Sequence, residues 1–275
     1  MKENLVSIEL MRDFYIYATM IRMNTVTISQ LKEEPLVRFS GKNVNLPLKE
    51  QSAIDMYWQS LLDSGKSYTR GDVFTITQVE KGVEGLSLLV EKTDYAHYLY
   101  CQNIDSDLNG YGISIIFTAC LIETLDNKIL FGKMGSHTAR AGIYQLAGGG
   151  IDKTDLIGDH FDLRGNIAKE IFEEVGVDIS DINRVKHFSA AYLKQGGIAH
   201  KIAVVYRLQL LETSEIFLQQ YSLFSDELKK KDELPEFGEI IVLNNNKKDI
   251  DLFFVQHENE CDEYMEPLFR YVYAS

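Results

Sequence analysis

Three glutamates near the middle of the chain have the residue type and spacing of a metal site. Glu170, Glu173 and Glu174 stand three and four residues apart, so a helix would project them from one side. Like charges this close repel one another, and a divalent cation removes that conflict. Mg²⁺ prefers oxygen ligands and binds a few carboxylates together with the phosphates of a substrate. The three glutamates are therefore predicted ligands of Mg²⁺, with Mn²⁺ as its substitute.

The segment that carries the glutamates, residues 166–179, predicts a short amphipathic helix. Its apolar residues fall on the side opposite the glutamates and would face a core: Ile167, Ala168, Ile171, Phe172 and Val175. Gly176 follows them and can adopt the left-handed conformation that ends many helices. A core-facing side and an acidic side are therefore expected on one helix.

The pattern from Glu170 to Val177 is Glu-aliphatic-x-Glu-Glu-x-Gly-aliphatic. It resembles the second half of the Nudix box, G-x5-E-x7-R-E-U-x-E-E-x-G-U, in which U is aliphatic. Upstream, Tyr144-Gln-Leu-Ala-Gly-Gly149 looks like the strand and the Gly-Gly turn that open the box in that family. Because both halves occur in the correct order, the chain is identified as similar to a divergent Nudix hydrolase.

The chain departs from the family pattern in two ways that concern the site. Lys169 stands where the family has Arg, so the charge is kept but the planar bidentate fork is not. The loop between Gly149 and Glu170 is about six residues longer than the family spacing. The acidic residue in the middle of the box has four competing counterparts, which are Asp152, Asp155, Asp159 and Asp162.

The resemblance implies an α/β class of fold (α+β), namely an α/β/α sandwich around a mixed sheet. It also implies a Mg²⁺-dependent pyrophosphohydrolase, which cleaves a nucleoside diphosphate linked to another moiety, with water as nucleophile. Glu170, Glu173 and Glu174 would hold the metal, Glu173 and Glu174 would also be catalytic, and backbone at Gly148 and Gly149 would come close to metal and substrate. The layout further resembles a branch that hydrolyses UDP-sugars.

Other candidate site residues lie in predicted loops around the box. Arg140 and Lys194 occur in loops that would open toward the box helix, where either cation could neutralise a substrate phosphate. Glu236 lies just before a predicted strand, where Nudix enzymes often have a further acidic ligand or general base, and Glu239 follows it. Glu236 is the preferred candidate of the two.

Two other functions remain open at this stage. A Nudix-fold sensor would bind a nucleotide ligand without hydrolysis, and Lys169 and the long loop favour it. Neither flank has the basic helix-turn-helix pattern of a DNA-binding version. A Nudix-type isomerase would need a catalytic cysteine, but Cys120 lies in a predicted core strand and is expected to pack there.

The elements that would position these residues fall into two predicted domains, residues 1–110 and residues 111–275. The first is expected to be a small α+β unit, which forms either a wall of the leaving-group pocket or the contact of a homodimer. Its predicted elements are strands at 5–17, 26–39, 73–79, 86–91 and 95–101 and a helix from Pro47 to Gly65. In the second, the predicted strands are 113–123, 128–133, 187–193, 201–208 and 239–243, with helices at 214–231 and 258–273.

The amino-acid composition limits the classes of partner that the chain is expected to bind. The 275 residues include 41 acidic and 28 basic side chains, for a formal net charge of −13. Such a chain would repel a nucleic-acid backbone, so a small nucleotide-linked substrate is expected rather than a polymer. The three cysteines match no metal or redox spacing, and no segment approaches membrane-spanning length. We therefore expect a cytoplasmic protein with no membrane partner.

Overall fold

The computed structural model describes residues 25–82, 85–197 and 201–273. Within these ranges the chain forms two mixed β-sheets and six α-helices. The helices are α1 (Leu48–Asp63), α2 (Tyr95–Asn103), α3 (Leu163–Val175), α4 (Ser214–Lys230), α5 (Lys247–Gln256) and α6 (Met265–Tyr273). The strands are β1 (Thr27–Gln30), β2 (Leu36–Asn43), β3 (Asp72–Gly82), β4 (Gly85–Asp94), β5 (Ile116–Glu123), β6 (Lys128–Met134), β7 (Tyr144–Gln145), β8 (Leu156–Ile157), β9 (His160–Phe161), β10 (Val185–Gln195), β11 (Ile202–Leu210) and β12 (Phe237–Asn244). None of the helices in these ranges is long and apolar enough to cross a bilayer.

The larger sheet is the middle layer of an α/β/α sandwich. Its strand order is β1-β10-β11-β5-β6-β12, with β7 beside β6, and β11 and β5 run parallel while the other pairs are antiparallel. Successive residues of a strand face opposite sides of a sheet. On β5, Cys120 and Ile122 pack in the cluster that contains α3, whereas Ala119 and Leu121 pack in the cluster that contains α5 and α6. The predicted sandwich is confirmed, and Cys120 is a core residue with no exposed surface.

The smaller sheet combines strands from the N-terminal part of the chain with a hairpin from the long loop of the box. Its order is β3-β4-β2-β9-β8, and β8 and β9 form that hairpin. Arg38 of β2 is the register partner of His160 of β9, and the Phe39 amide donates to the Asp159 carbonyl at 2.8 Å. The extra residues of the loop thus form the last two strands on one side of this sheet, with β8 at its edge.

The two sheets meet in one hydrophobic cluster. Within the smaller sheet, Phe74 of β3 contacts Phe161 of β9 in a T-shaped arrangement, with 4.7 Å between ring centroids. The same cluster contains Val90 of β4, Cys120 of β5 and Ile167 of α3. Buried apolar surface therefore joins residues on both sides of Gly110, and the domain boundary placed there stays a prediction.

The structure confirms the predicted helix between Pro47 and Gly65, but the strand predicted at 95–101 is wrong. That segment is helix α2. Asp94 begins it, since its side-chain carboxylate accepts a hydrogen bond from the His97 amide at 2.9 Å. A capping aspartate satisfies an amide that the first helical turn leaves unpaired, and this local bond favours a helix over the strand that the aromatic residues suggested.

The C-terminal end also differs from the prediction. The closing helix α6 begins at Met265 instead of residue 258, and a further helix, α5, precedes it. Asn246 begins α5, because its side chain accepts from the Asp249 amide at 3.0 Å. The strand predicted at 5–17 lies outside the described residues.

Candidate functional site

Helix α3 carries Glu170, Glu173 and Glu174 and packs its apolar side against the core. It begins after Asp162, whose side chain accepts a hydrogen bond from the Gly165 amide at 2.8 Å, and ends at Gly176 with a φ of 68°. Its residues Ile167 and Ile171 are fully buried in the core. The helix therefore starts three residues before the predicted segment, and its predicted end at Gly176 is confirmed.

The three glutamates of α3 do not share one environment. Glu174 is buried with 3% of its surface exposed, Glu170 is half-buried and Glu173 is exposed. Residues follow one another by about 100° around a helix, so Glu174 is nearest to the arc of Ile171 and Glu173 is furthest from it. The same geometry explains why Phe172, predicted on the apolar side, is 56% exposed.

Glu174 connects the helix to the Gly-Gly turn. Its Oε2 atom accepts a hydrogen bond from the Gly148 amide at 2.8 Å, and its side chain is also hydrogen-bonded to Glu236. Burial, followed by the charge of Glu236 and the hydrogen bond with it, raises the pKa of Glu174 well above its ordinary value. The structure therefore brings Glu236, predicted from a distant loop, to the box helix.

Glu170 lies directly against the second glycine of the turn. A Cβ atom on Gly149 would come within 2.6 Å of the Glu170 carboxylate, so only glycine leaves the space that this side chain occupies. Burial raises the pKa of Glu170 to about 7; Lys169 opposes this shift, and the charges of Glu173 and Glu236 add to it. Carboxylates on both α3 and the Glu236 loop thus gather beside the turn.

This group of carboxylates has the donor chemistry that Mg²⁺ requires. It supplies hard oxygen ligands, and Glu170 and Glu174 repel neighbouring charges that a divalent cation would offset. In residues 25–82, 85–197 and 201–273, however, no three His, Cys, Asp or Glu side chains converge into a finished ligand set. The carboxylate oxygens are suitable ligands for Mg²⁺, and the glutamate side chains would have to move closer together to bind it.

Lys169 pairs with the long loop instead of the neighbouring glutamates. Its Nζ atom lies 3.1 Å from Asp155 and 3.1 Å from Asp152. Asp155 is buried and follows Gly149 after five intervening residues, which is the spacing from glycine to the first acid in the box. Of the four aspartates that competed for this position, Asp155 has both the spacing and the lysine partner, so the additional residues come after it.

Asn166 is a site residue that the sequence did not indicate. It has no exposed surface, and its side-chain nitrogen donates to the Gly150 carbonyl at 3.2 Å and to Asp155 at 2.9 Å. Its side-chain oxygen accepts a hydrogen bond from Thr118 of β5. This one amide therefore holds the glycine turn, the paired aspartate and the central sheet in register.

Replacing Asn166 by alanine should lower the free energy of unfolding by about 2 kcal/mol, because buried polar partners would lose their hydrogen bonds. Urea unfolding of the variant measures this change. Asn183→Ala is the control, since Asn183 is exposed and its side chain bonds only to Asp181 at 3.2 Å among the described residues. Equal stabilities of the two variants would contradict the role given to Asn166.

A cavity of about 370 Å³ opens beside the Gly148-Gly149 turn. Its wall includes cationic, amide and aromatic side chains, among them Tyr98, Gln102, Arg140, Gln145, Lys194 and Lys201. Tyr98 and Gln102 come from α2, so the N-terminal part of the chain contributes to this wall. Charged and aromatic groups around a concave space suit a small ligand with anionic and ring-containing parts.

The two predicted phosphate-binding cations line the cavity but are already paired. Lys194 is 1% exposed, and its ammonium donates to the Gly196 carbonyl at 2.7 Å, the Lys201 carbonyl at 3.1 Å and Glu263 at 3.1 Å. A lysine has three donors, so none is left for a phosphate. Arg140 forms an ion pair with Asp262. Lys194 therefore supports the wall, whereas Arg140 contacts Asp262 through one guanidinium nitrogen and has further N–H donors.

No protein-family model matches the chain, and no curated protein matches it. Solved structures do. One is a Nudix hydrolase from Nitrosomonas europaea, with 14% identity and a TM-score of 0.35, covering 72% of this chain and 84% of the other. The chain resembles Nudix proteins.

Two further solved structures have comparably low similarity. A bifunctional NMN adenylyltransferase/ADP-ribose pyrophosphatase from Francisella tularensis, with AMP and a Mn ion, has 10% identity and a TM-score of 0.40, covering 64% of this chain and 46% of the other. The Nudix domain of Shewanella oneidensis NrtR, in complex with ADP-ribose, has 15% identity and a TM-score of 0.26, covering 42% and 71%. Because all three TM-scores are below 0.5, we base the function on this chain's own side chains.

Proposed function

We propose that this chain is a Nudix-type hydrolase, which cleaves the diphosphate bond of a nucleoside diphosphate linked to another moiety. One observation carries the proposal: Glu170, Glu174 and Glu236 gather beside the Gly148-Gly149 turn, and the cavity opens at that turn. Carboxylates next to a cavity whose wall contains both cationic and acidic side chains suit the binding of a phosphate compound together with a divalent cation.

Each residue of the site is assigned a role that follows from its position. Glu170, Glu173 and Glu174 would hold Mg²⁺, which offsets phosphate charge and lowers the pKa of an attacking water. Glu236 is exposed and would accept the proton of that water as its oxygen bonds to phosphorus and the bridging P–O bond breaks. Asp155 and Asn166 hold the turn in place, and Gly148 and Gly149 leave room for the carboxylates.

For the substrate, we propose a UDP-sugar ahead of ADP-ribose and other nucleotide-linked compounds. The support is the layout of the chain, with an N-terminal unit before the box and a long loop inside it. The cavity adds Tyr98 and Gln102 from that N-terminal unit, and an aromatic ring and an amide are groups that can contact a base or a sugar.

A nucleotide sensor without hydrolysis is the second candidate. It is favoured because Arg140 and Lys194 are paired within the protein. A sensor needs only ground-state binding, whereas an enzyme must stabilise charge that appears in the transition state. Product formation separates the two functions.

We expect UDP-glucose and Mg²⁺ to give UMP and glucose 1-phosphate when the protein is added. In ¹⁸O-labelled water, one of these two monophosphates should carry the label, because water attacks phosphorus. A panel of UDP-sugars, ADP-ribose and dinucleotides, analysed by mass spectrometry, measures both product and label. Binding of these compounds without product at saturating Mg²⁺ would contradict the hydrolase and support the sensor.

A further inference from the structure

The cations of the cavity differ in how their charge is balanced. Arg140 is paired with Asp262, and Lys194 with Glu263. Lys201 lines the same cavity, yet it forms no ion pair with any carboxylate in the described part of the chain. Lys201 is therefore the cation of this wall whose charge is left for a ligand.

Lys201 is held by an aromatic ring. Its Nζ atom lies 5.4 Å from the centroid of the Tyr98 ring. Tyr98 in turn stacks on Tyr95, with 5.7 Å between centroids and 21° between planes, so the ring is fixed within α2. A cation–π contact at a partly exposed position is a weak interaction. It orients the ammonium without neutralising its charge.

We propose that Lys201, and not Lys194, binds a phosphate of the substrate and that Tyr98 positions Lys201 for this contact. The ligand class is a nucleoside diphosphate, so the inference rests on the proposed function. Lysine commonly binds phosphate as a point charge. The other two cations of the cavity are paired with carboxylates, so Lys201 is the side chain placed to offset phosphate charge there.

The assignment also gives the N-terminal unit a defined part in ligand binding. Tyr98 lies on α2, before the predicted boundary at residue 110, and Lys201 lies just before β11 of the central sheet. The N-terminal unit thus acts on substrate through the orientation of a cation that belongs to the catalytic part of the chain. Loss of the Tyr98 ring should weaken phosphate binding without any change in charge.

Equilibrium binding tests the assignment without relying on turnover. The probes are α,β-methylene UDP and α,β-methylene ADP in Mg²⁺, whose bridging carbon prevents hydrolysis. Calorimetry with Lys201→Ala should show about tenfold weaker binding than wild type, as expected for one charge-assisted contact. Lys201→Arg should bind nearly as wild type, because the cation remains.

Two substitutions of Tyr98 test whether its aromatic ring positions Lys201. Tyr98→Phe keeps the ring face and should preserve affinity for the probes, whereas Tyr98→Leu should weaken binding about threefold through loss of the cation–π contact. Lys133→Ala is the matched control. Lys133 also lies over a tyrosine ring, 4.6 Å from the centroid of Tyr144, but it pairs with Glu260 at 3.5 Å and does not line the cavity.

The outcomes distinguish this inference from the proposed function. Equal probe affinities for wild type and Lys201→Ala, or no binding of either probe by wild type, would overturn the role of Lys201. Binding that depends on Lys201, in a protein that forms no product from the substrate panel, would support the inference and contradict only hydrolysis.

Discussion

Glu174→Gln is expected to lower the rate of diphosphate hydrolysis by about a hundredfold or more. The amide keeps the shape of the side chain, but it removes the negative charge that we assign to metal binding, and a lost metal contact costs several kcal/mol in the transition state. Steady-state rates on the best substrate at saturating Mg²⁺ measure the effect. Glutamine can still accept the hydrogen bond that the Gly148 amide donates to Glu174 at 2.8 Å.

The fold should survive this substitution even though Glu174 is buried. Burial raises the pKa of Glu174 well above its ordinary value, which means that this buried position disfavours a charge, and glutamine places no charge there. Thermal melting should therefore give a Tm no lower than that of wild type. Glu227→Gln is the control, since Glu227 is exposed on α4. A rate for Glu174→Gln like that of this control would remove Glu174 from the site.

Gly148→Ala should destabilise the protein by about 3 kcal/mol or more. Gly148 has a φ of 152°, and an added Cβ would lie 2.1 Å from the carbonyl oxygen of Thr118, which is backbone and cannot rotate away. Strained backbone and overpacking each cost on the order of 1–3 kcal/mol. Urea unfolding gives the difference in the free energy of unfolding between variant and wild type.

Gly150→Ala tests whether the effect belongs to this position or to any glycine of the turn. An added Cβ on Gly150 would meet no atom within 4 Å, so its stability should stay within about 0.5 kcal/mol of wild type. Similar losses in both variants would mean that the close approach of Gly148 to β5 does not determine the stability of the turn.

The sequence was most informative where a local pattern and a buried face agree. The spacing of apolar residues and the terminal glycine predicted α3. The individual glutamates were less predictable. Their shared side was expected, but burial separates Glu174 from Glu173 because a helix turns by about 100° per residue, and only packing fixes which residue lies nearest to the core.

Long-range contacts account for what the sequence did not indicate. Lys194 was predicted to be a cation that could bind a substrate phosphate. Only the fold brings Glu263, which is far along the chain, within 3.1 Å of it. Nothing in the sequence indicated a role for Asn166, because that role depends on Thr118 of a separate strand. Asp155 could have been found, because its five-residue spacing from Gly149 was visible in the chain. The longer loop obscured it.

The hairpin of β8 and β9 links the evolution of two distant stretches of the chain. It lies inside the box but pairs with β2, so shortening the loop to the family length would leave β2 as an edge strand with unpaired backbone groups. Removing the N-terminal unit would in turn leave a two-stranded hairpin, which is marginally stable alone. The β8–β9 insertion and the N-terminal unit should therefore be inherited together. An ancestor that lacked one of them is expected to have lacked the other.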